Sequence, residues 1–309
     1  MSIRLLIMAL FTLTLFACSD DDDFPEIINS NKPEDVTGLN FVDAQNADFA
    51  TIYGNVTSAL GANAAISIVA EVDHRGNAAT VNAELRPTRV VLFGNPNLGT
   101  PLMQINPQSG LDLPQKMLVY QPDDEDIIIA YNSVEYLTNR HGVGDAATIG
   151  QIRDALANLA STAGSAEVES ADEGDVSRNE GVTSFTGPGT VDSVYTRLRD
   201  ALQANSSISI VAELDHQANA ASVNMELPPI RLIVFGNPAL GTPLLQDEQS
   251  VGIDLPQKML VYESGAGEVT VAFNDPFYIA DRHDVDDDLG ELTTIREALT
   301  SLAQGALGQ

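Results

Sequence analysis

Apolar and polar positions along the chain fall into two matching series. Phe49, Ile52, Tyr53, Val56 and Leu60 recur at the spacing of one helix face, and Val191, Val194, Tyr195, Leu198 and Leu202 repeat that spacing later. Asp48 and Thr190 stand just before these stripes, each with a side-chain oxygen able to accept a first-turn N–H. A short strand is predicted ahead of each helix, near Gly38–Val42 and near Val182–Phe185. After each helix, Ile66–Ala70 and Ile208–Ala212 read as strands that run into acidic-His turns, Asp73-His74 and Asp215-His216. Arg89–Phe93 and Arg231–Phe235 are apolar and rich in β-branched residues, and each is stopped by Gly-Asn-Pro. Pro96 and Pro238 cannot donate to a strand ladder, so the strands end there. The segments LGTPLMQ and LGTPLLQ predict a short helical turn. Hairpins are predicted from Lys116–Tyr120 with Ile127–Tyr131, and from Lys258–Tyr262 with Val269–Phe273. Closing helices carry Ile149, Ile152, Leu156 and Leu159, then Leu292, Ile295, Leu299 and Leu302.

The two series are one unit written twice. FGNPNLGTPLMQINPQSGLDLPQKMLVY at 93–120 returns at 235–262 with a constant offset of 142 and no gap, and DLPQKMLVY is unchanged. Identities drift elsewhere while the periodicity persists, as in a folded duplication. Strand, helix, about four strands and helix per unit predict an α+β fold: two tandem two-layer sandwiches, each with helices on one face of a mostly antiparallel sheet. Two copies can pack through equivalent surfaces, so pairing of the domains about a pseudo-twofold axis is expected.

Residues 1–17 read as a targeting segment, with Arg4 before the apolar run LLIMALFTLTLF. The run is short for a membrane span. Leu15-Phe16-Ala17-Cys18 resembles a bacterial lipobox, which makes Cys18, the only cysteine, a lipidation site and rules out an internal disulfide. The expected organisation is a lipoprotein signal peptide over 1–17, an acidic tether over 18–36, a first domain over 37–163, an acidic linker over 164–180 and a second domain over 181–309. A lipid-anchored place in the cell envelope follows. SDDDD after the cysteine is compatible with the outer membrane or cell surface, and also with the periplasmic face of the inner membrane. The net charge of −29 opposes nucleic acid as a partner and electrostatic docking on anionic lipid.

Several motifs in fixed order resemble the domain-of-unknown-function family 302. They are the strand ending Val-Asp-His74 (Leu-Asp-His216), Glu84-Leu85-Arg86-Pro87, Phe93-Gly94-Asn95-Pro96, Gly99-Thr100-Pro101-Leu102, Leu113-Pro114-x-Lys116 and Tyr131-Asn132. The second copy departs at Pro228-Pro229, where the first has Arg86-Pro87. The resemblance covers nearly all of the chain beyond the tether. It implies a β-α-β4-α sandwich similar to the TATA-binding protein, and no activity.

All four histidines occupy paired positions, His74 with His216 and His141 with His283. One reading makes His74 and His216 acid–base or metal-binding groups, with Asp73, Glu84 and Asn95 beside the first, and Asp215, Glu226 and Asn237 beside the second. The other makes each a histidine at a strand end bonding a turn carbonyl. The second is favoured because no further His or Cys completes a metal set. Asn95, Asn237, Lys116 and Lys258 are candidate ligand-binding residues. Asp284, Asp286 and Asp288 alternate as in a calcium loop, but the glycine comes one position late and the distant Glu is missing, so a solvated acidic approach to a helix is favoured. No cofactor is assigned. The expected function is an envelope lipoprotein whose duplicated domain binds a small molecule or a protein. The alternative is a metal-dependent or His-based enzyme with twin sites at His74 and His216.

Overall fold

The computed structural model describes residues 32–44, 47–123, 126–171 and 176–309. The targeting segment, Cys18 and most of the tether lie outside the described residues.

The first repeat runs β1 (Leu39–Asp43), α1 (Phe49–Gly61), β2 (Ser67–Asp73), α2 (His74–Thr80), β3 (Thr88–Gly94), α3 (Pro96–Ile105), a 3-10 turn (Pro107–Leu111), β4 (Gln115–Tyr120), β5 (Ile128–Asn132), α4 (Val134–His141) and α5 (Ile149–Gly164). A two-residue strand β6 (Glu169–Ser170) follows. The second repeat runs β7 (Val182–Pro188), α6 (Val191–Ala204), β8 (Ser209–Asp215), α7 (His216–Ser222), β9 (Ile230–Gly236), α8 (Pro238–Asp247), a 3-10 turn (Gln249–Ile253), β10 (Gln257–Gly265), β11 (Glu268–Asn274), α9 (Pro276–His283) and α10 (Gly290–Leu307). The sheets have the orders β2-β3-β4-β5-β1-β6 and β7-β11-β10-β9-β8, antiparallel throughout. The fold is therefore α+β, with two tandem antiparallel-sheet domains.

The predicted caps form: Asp48 accepts from Thr51 N, and Thr190 exchanges bonds with Ser193. Both hairpins pair as expected, with Leu118 opposite Ala130 and Met259 opposite Phe273.

Four features differ from the sequence expectation. The acidic-His segments are not turns but helix starts, because Asp73 and Asp215 cap α2 and α7 by accepting from Gly76 N and Ala218 N. The short helical turn after Gly-Asn-Pro is a ten-residue helix, capped by Asn95 or Asn237 with proline at its first position. The helices α4 and α9 carry no long apolar stripe and were not expected; Ser133 and Asp275 cap them. Within the segment expected to be a solvated linker, Glu169–Ser170 pairs with β1 and Ala171 and Val176 are buried.

Alternation along the strands assigns each sheet two buried faces. In the second sheet, Ile233, Phe235, Met259 and Val261 pack with α6 and α10 residues such as Leu198 and Leu299. Their neighbours Leu232, Val234 and Leu260 point the other way and join Val90, Leu92 and Leu118 of the first repeat. The 3-10 turn of each repeat lies over the sheet of the other. A Cβ on Gly252 would meet Leu118 at 2.9 Å, and one on Gly110 would meet Leu260 at 3.1 Å, so both turns need glycine for this approach.

Candidate functional site

Reciprocal bonds tie the repeats together. Gln104 donates to the Glu226 carbonyl and Gln246 to the Glu84 carbonyl, each at 2.8 Å. At the centre lies a buried charge cluster. Asp112 accepts from Arg140 at 2.6 Å and from the His141 ring at 2.7 Å, and faces Lys258 of the other repeat at 3.4 Å. Asp254 mirrors it, with Arg282 at 2.6 Å, His283 at 3.1 Å and Lys116 at 3.4 Å. Lys116 also donates to the Ile253 carbonyl. Arg140 reaches Asn274 and Arg282 reaches Asn132, at 3.0 and 2.9 Å. The Arg282 guanidinium sits 4.0 Å from the centroid of the Tyr136 ring.

Burial pushes the Asp112 and Asp254 carboxyls up, but the surrounding cations outweigh it and hold both well below the usual range. Lys116 moves the other way. Burial first, then the Lys258 ammonium, lower it to about 7. Four basic side chains share two carboxylates here, so desolvation is incompletely offset. Lys116 and Lys258 are thus placed in the interface and do not line either pocket described next.

Two pockets flank the interface, and each is built from both repeats. The first, about 330 Å³, lies between the edge strand β2, the start of α3 and α5, and is floored by Phe93, Leu113 and Leu156. His216 and Asn219 on α7 of the second repeat complete its wall. The second, about 460 Å³, uses the equivalent Phe235, Leu255 and Leu299, and is completed by His74 and Asn77 on α2 of the first repeat. Each histidine therefore serves the other copy's pocket. His74 is not brought to Asn95, and His216 is not brought to Asn237. Asn95 lies with His216, and Asn237 with His74.

The histidines are only 4% exposed. The ring of His74 bonds the backbone of Gly252, and that of His216 the backbone of Gly110, which leaves Nε2 of both without a partner. Burial lowers both to about 4, against the raising effects of the backbone bond and of Asp73 or Asp215. At neutral pH each ring is uncharged and presents a lone pair. Two further buried atoms lack partners at these pockets: Thr100 Oγ1 in the first and Gln257 Nε2 in the second.

Of the carboxylates proposed from sequence only Asp215 lines a pocket, the first, and it and the others are engaged elsewhere. Asp73 caps α2 and binds Arg89 at 2.6 Å, while Asp215 caps α7 and lies 3.2 Å from Arg231. The side chains of Glu84 and Glu226 are exposed, and only their carbonyls cross the interface. Asp284 ends α9 in the left-handed region, at the place Gly142 holds in the first repeat. The exposed acidic group is Asp286, Asp287 and Asp288, with Asp286 Oδ1 capping Asp288 N at 2.9 Å.

Sequence reasoning missed Asp112, Asp254, Thr100 and Gln257. Asp112 and Asp254 open the unchanged stretch DLPQKMLVY, and a carboxylate repeated at the edge of an apolar run was the available signal. Thr100 and Gln257 lie in repeated motifs too, but nothing in the sequence marked their side chains as buried without a partner.

A duplicated α+β domain with reciprocal pockets defines the class. The chain belongs to the family described as Domain of unknown function DUF302, which matches residues 42–160 and 183–304. Over 86 residues it is 43% identical to proteins named Fluoride-specific ion channel FluC 1 from Brucella suis biovar 1 (strain 1330) and Brucella abortus biovar 1 (strain 9-941), covering 28% of this chain and 34% and 32% of theirs. The chain thus spans about a third of the length of these curated relatives. It is also similar to a solved structure, an uncharacterized conserved protein DUF302 from Bacillus stearothermophilus, at 14% identity and a TM-score of 0.37, over 40% of this chain and 97% of that one. Among the described residues, no helix is long and apolar enough to cross a membrane.

Proposed function

We propose that the duplicated domain is a binding module that takes a small, largely apolar molecule in each of its two composite pockets. The observation that carries this is the paired clefts of about 330 and 460 Å³, floored by Phe93, Leu113 and Leu156 and by Phe235, Leu255 and Leu299. Clefts of this size, apolar with a few convergent polar groups, are the usual form of small-molecule sites. In the same reading a lipid on Cys18 holds the module at the cell envelope, at the outer membrane or cell surface. The lipobox-like Leu15-Phe16-Ala17-Cys18 supports that placement. The acidic surface disfavours nucleic acid as a partner.

Binding is tested with a neutral fluorescent probe, N-phenyl-1-naphthylamine, on the full chain. Ala155 and Ala298 lie at the pockets and are not fully buried, so a larger side chain there fills the cleft without entering the core. Ala155→Phe and Ala298→Phe should each remove about half of the bound probe, and the double variant nearly all of it. Full binding by the double variant would dismiss the pockets as the site. Anchoring is tested separately, by mass spectrometry of the membrane-extracted protein and of Cys18→Ala, which should lose the lipid mass.

A further inference from the structure

Residues that line both pockets carry buried polar atoms with no partner in the protein. In the second pocket they are His74 Nε2 and Gln257 Nε2, on residues 4% and 9% exposed. In the first they are His216 Nε2 and Thr100 Oγ1, on residues 4% and 1% exposed. A polar group buried without a partner is costly, and such groups are rare unless something satisfies them. The chemistry of each pair is the same. The backbone bonds of Gly252 and Gly110 occupy one ring nitrogen, which is a donor because it meets a carbonyl, so Nε2 is left as an acceptor. Gln257 Nε2 is a donor, and Thr100 Oγ1 can donate. Each pair also spans the interface, since the acceptor comes from one repeat and the donor from the other.

From this complementarity we infer that each pocket selects a molecule with an apolar body and one uncharged head group that both donates and accepts a hydrogen bond, such as a hydroxyl or primary amide. The inference rests on the binding reading above and adds the head group. An ionised carboxylate or phosphate is excluded for two reasons. It has no proton to give to Nε2, and a neutral imidazole supplies no charge to offset its desolvation. An ether or an alkane satisfies at most one of the two atoms. The head group joins the two repeats, so the occupied pocket is a contact between domains as well as a ligand site.

The experiment is calorimetric titration of the full chain with para-butylphenol, para-butylanisole, para-butylbenzamide and para-butylbenzoate. The phenol and benzamide should bind at two sites about tenfold tighter than the anisole, the equivalent of one well-made buried hydrogen bond. The benzoate should bind more weakly than the anisole. Gln257→Met and Thr100→Val keep the side-chain size and remove one donor each, so each should weaken phenol and anisole alike at one site and leave the preference between them in place. His74→Phe and His216→Phe remove the acceptor, so each should abolish the phenol preference at one site. If they fail to fold, the donor variants still decide the question, because unchanged phenol and anisole affinity in both would overturn the head-group inference. Equal binding of phenol and anisole, or tightest binding of the benzoate, would overturn the head-group inference and leave the apolar pockets standing. Binding of none of the four would overturn both.

Discussion

Lys116 of the first repeat faces Asp254 of the second at 3.4 Å, and Lys258 faces Asp112 at the same distance. The partners are exchanged between copies, so each repeat's carboxylate is neutralised in part by the other. Arg140 and Arg282 also cross, through Asn274 and Asn132. The interface is thus not two independent cores in contact: each carboxylate meets its full set of cations only when both repeats are folded together. The pockets depend on the same docking, because α2 and α7 are held against the opposite repeat by Gly252 and Gly110.

Lys116 makes stability depend on pH in the alkaline direction. Its ordinary pKa is 10.5 and burial with Lys258 nearby lowers it to about 7. Between those values the unfolded chain binds the extra proton, so stability rises with pH, by up to about 1.4 kcal/mol per unit. Urea unfolding of the full chain at pH 7 to 9.5 should show this rise (roughly the model-compound window). Lys116→Met should flatten it. A wild-type profile without the rise would show that Lys116 stays charged in the folded protein.

Acid acts through the histidines. His74, His216 and His283 are all lowered to about 4, chiefly by burial, from an ordinary 6.5. Their contribution is complete above 6.5 and is lost as pH falls toward 4, where the unfolded chain takes up protons that the folded chain refuses. His74→Gln, whose amide can still donate to Gly252, should reduce proton uptake on unfolding near pH 5.5 by about one. Unchanged uptake would mean that the ring is solvated in the folded protein.

The fold was legible where periodicity carried it. The stripes from Phe49 to Leu60 and from Val191 to Leu202 gave the helices and their caps, and the repeated hairpins gave the sheets. The short helices were hidden for a physical reason: α2 and α7 are seven residues of small and polar side chains, held by one cap and by docking on the other repeat. The site was half legible. The paired histidines could be singled out, but their neighbours belong to the other copy, and local spacing therefore grouped His74 with Asn95 instead of Asn237. Lys116 was singled out as a ligand contact because nothing local indicated that its partner would be Asp254.

The turns between the sheets require glycine at one position each. Gly252→Ala places a Cβ 2.9 Å from Leu118 and 3.4 Å from Thr88, in a closely packed interface. Overpacking of this kind costs about 1–3 kcal/mol. Gly54, inside α1, has open space around its missing Cβ, so Gly54→Ala should stabilise by about 0.5–1 kcal/mol through helix propensity alone. Denaturant midpoints of the two variants should therefore move in opposite directions. Equal shifts would mean that the turn can back away from Leu118.

Asp112 tests the central cluster as a unit. Asp112→Asn keeps the volume but removes the charge that Arg140, His141 and Lys258 share, and those groups are almost wholly buried. Leaving buried cations unpaired costs about 3–5 kcal/mol. By contrast, Glu135→Gln breaks a pair with Arg153 in which both side chains are at least half exposed, and should cost about 1 kcal/mol or less. The second variant of the cluster is Lys258→Met in the Asp112→Asn background, which removes one of the cations left without its carboxylate. If charge imbalance is the source of the loss, this double variant is more stable than Asp112→Asn alone, although it lacks two polar groups. Additive destabilisation in urea melts would instead assign the loss to hydrogen-bond geometry around Arg140 and His141.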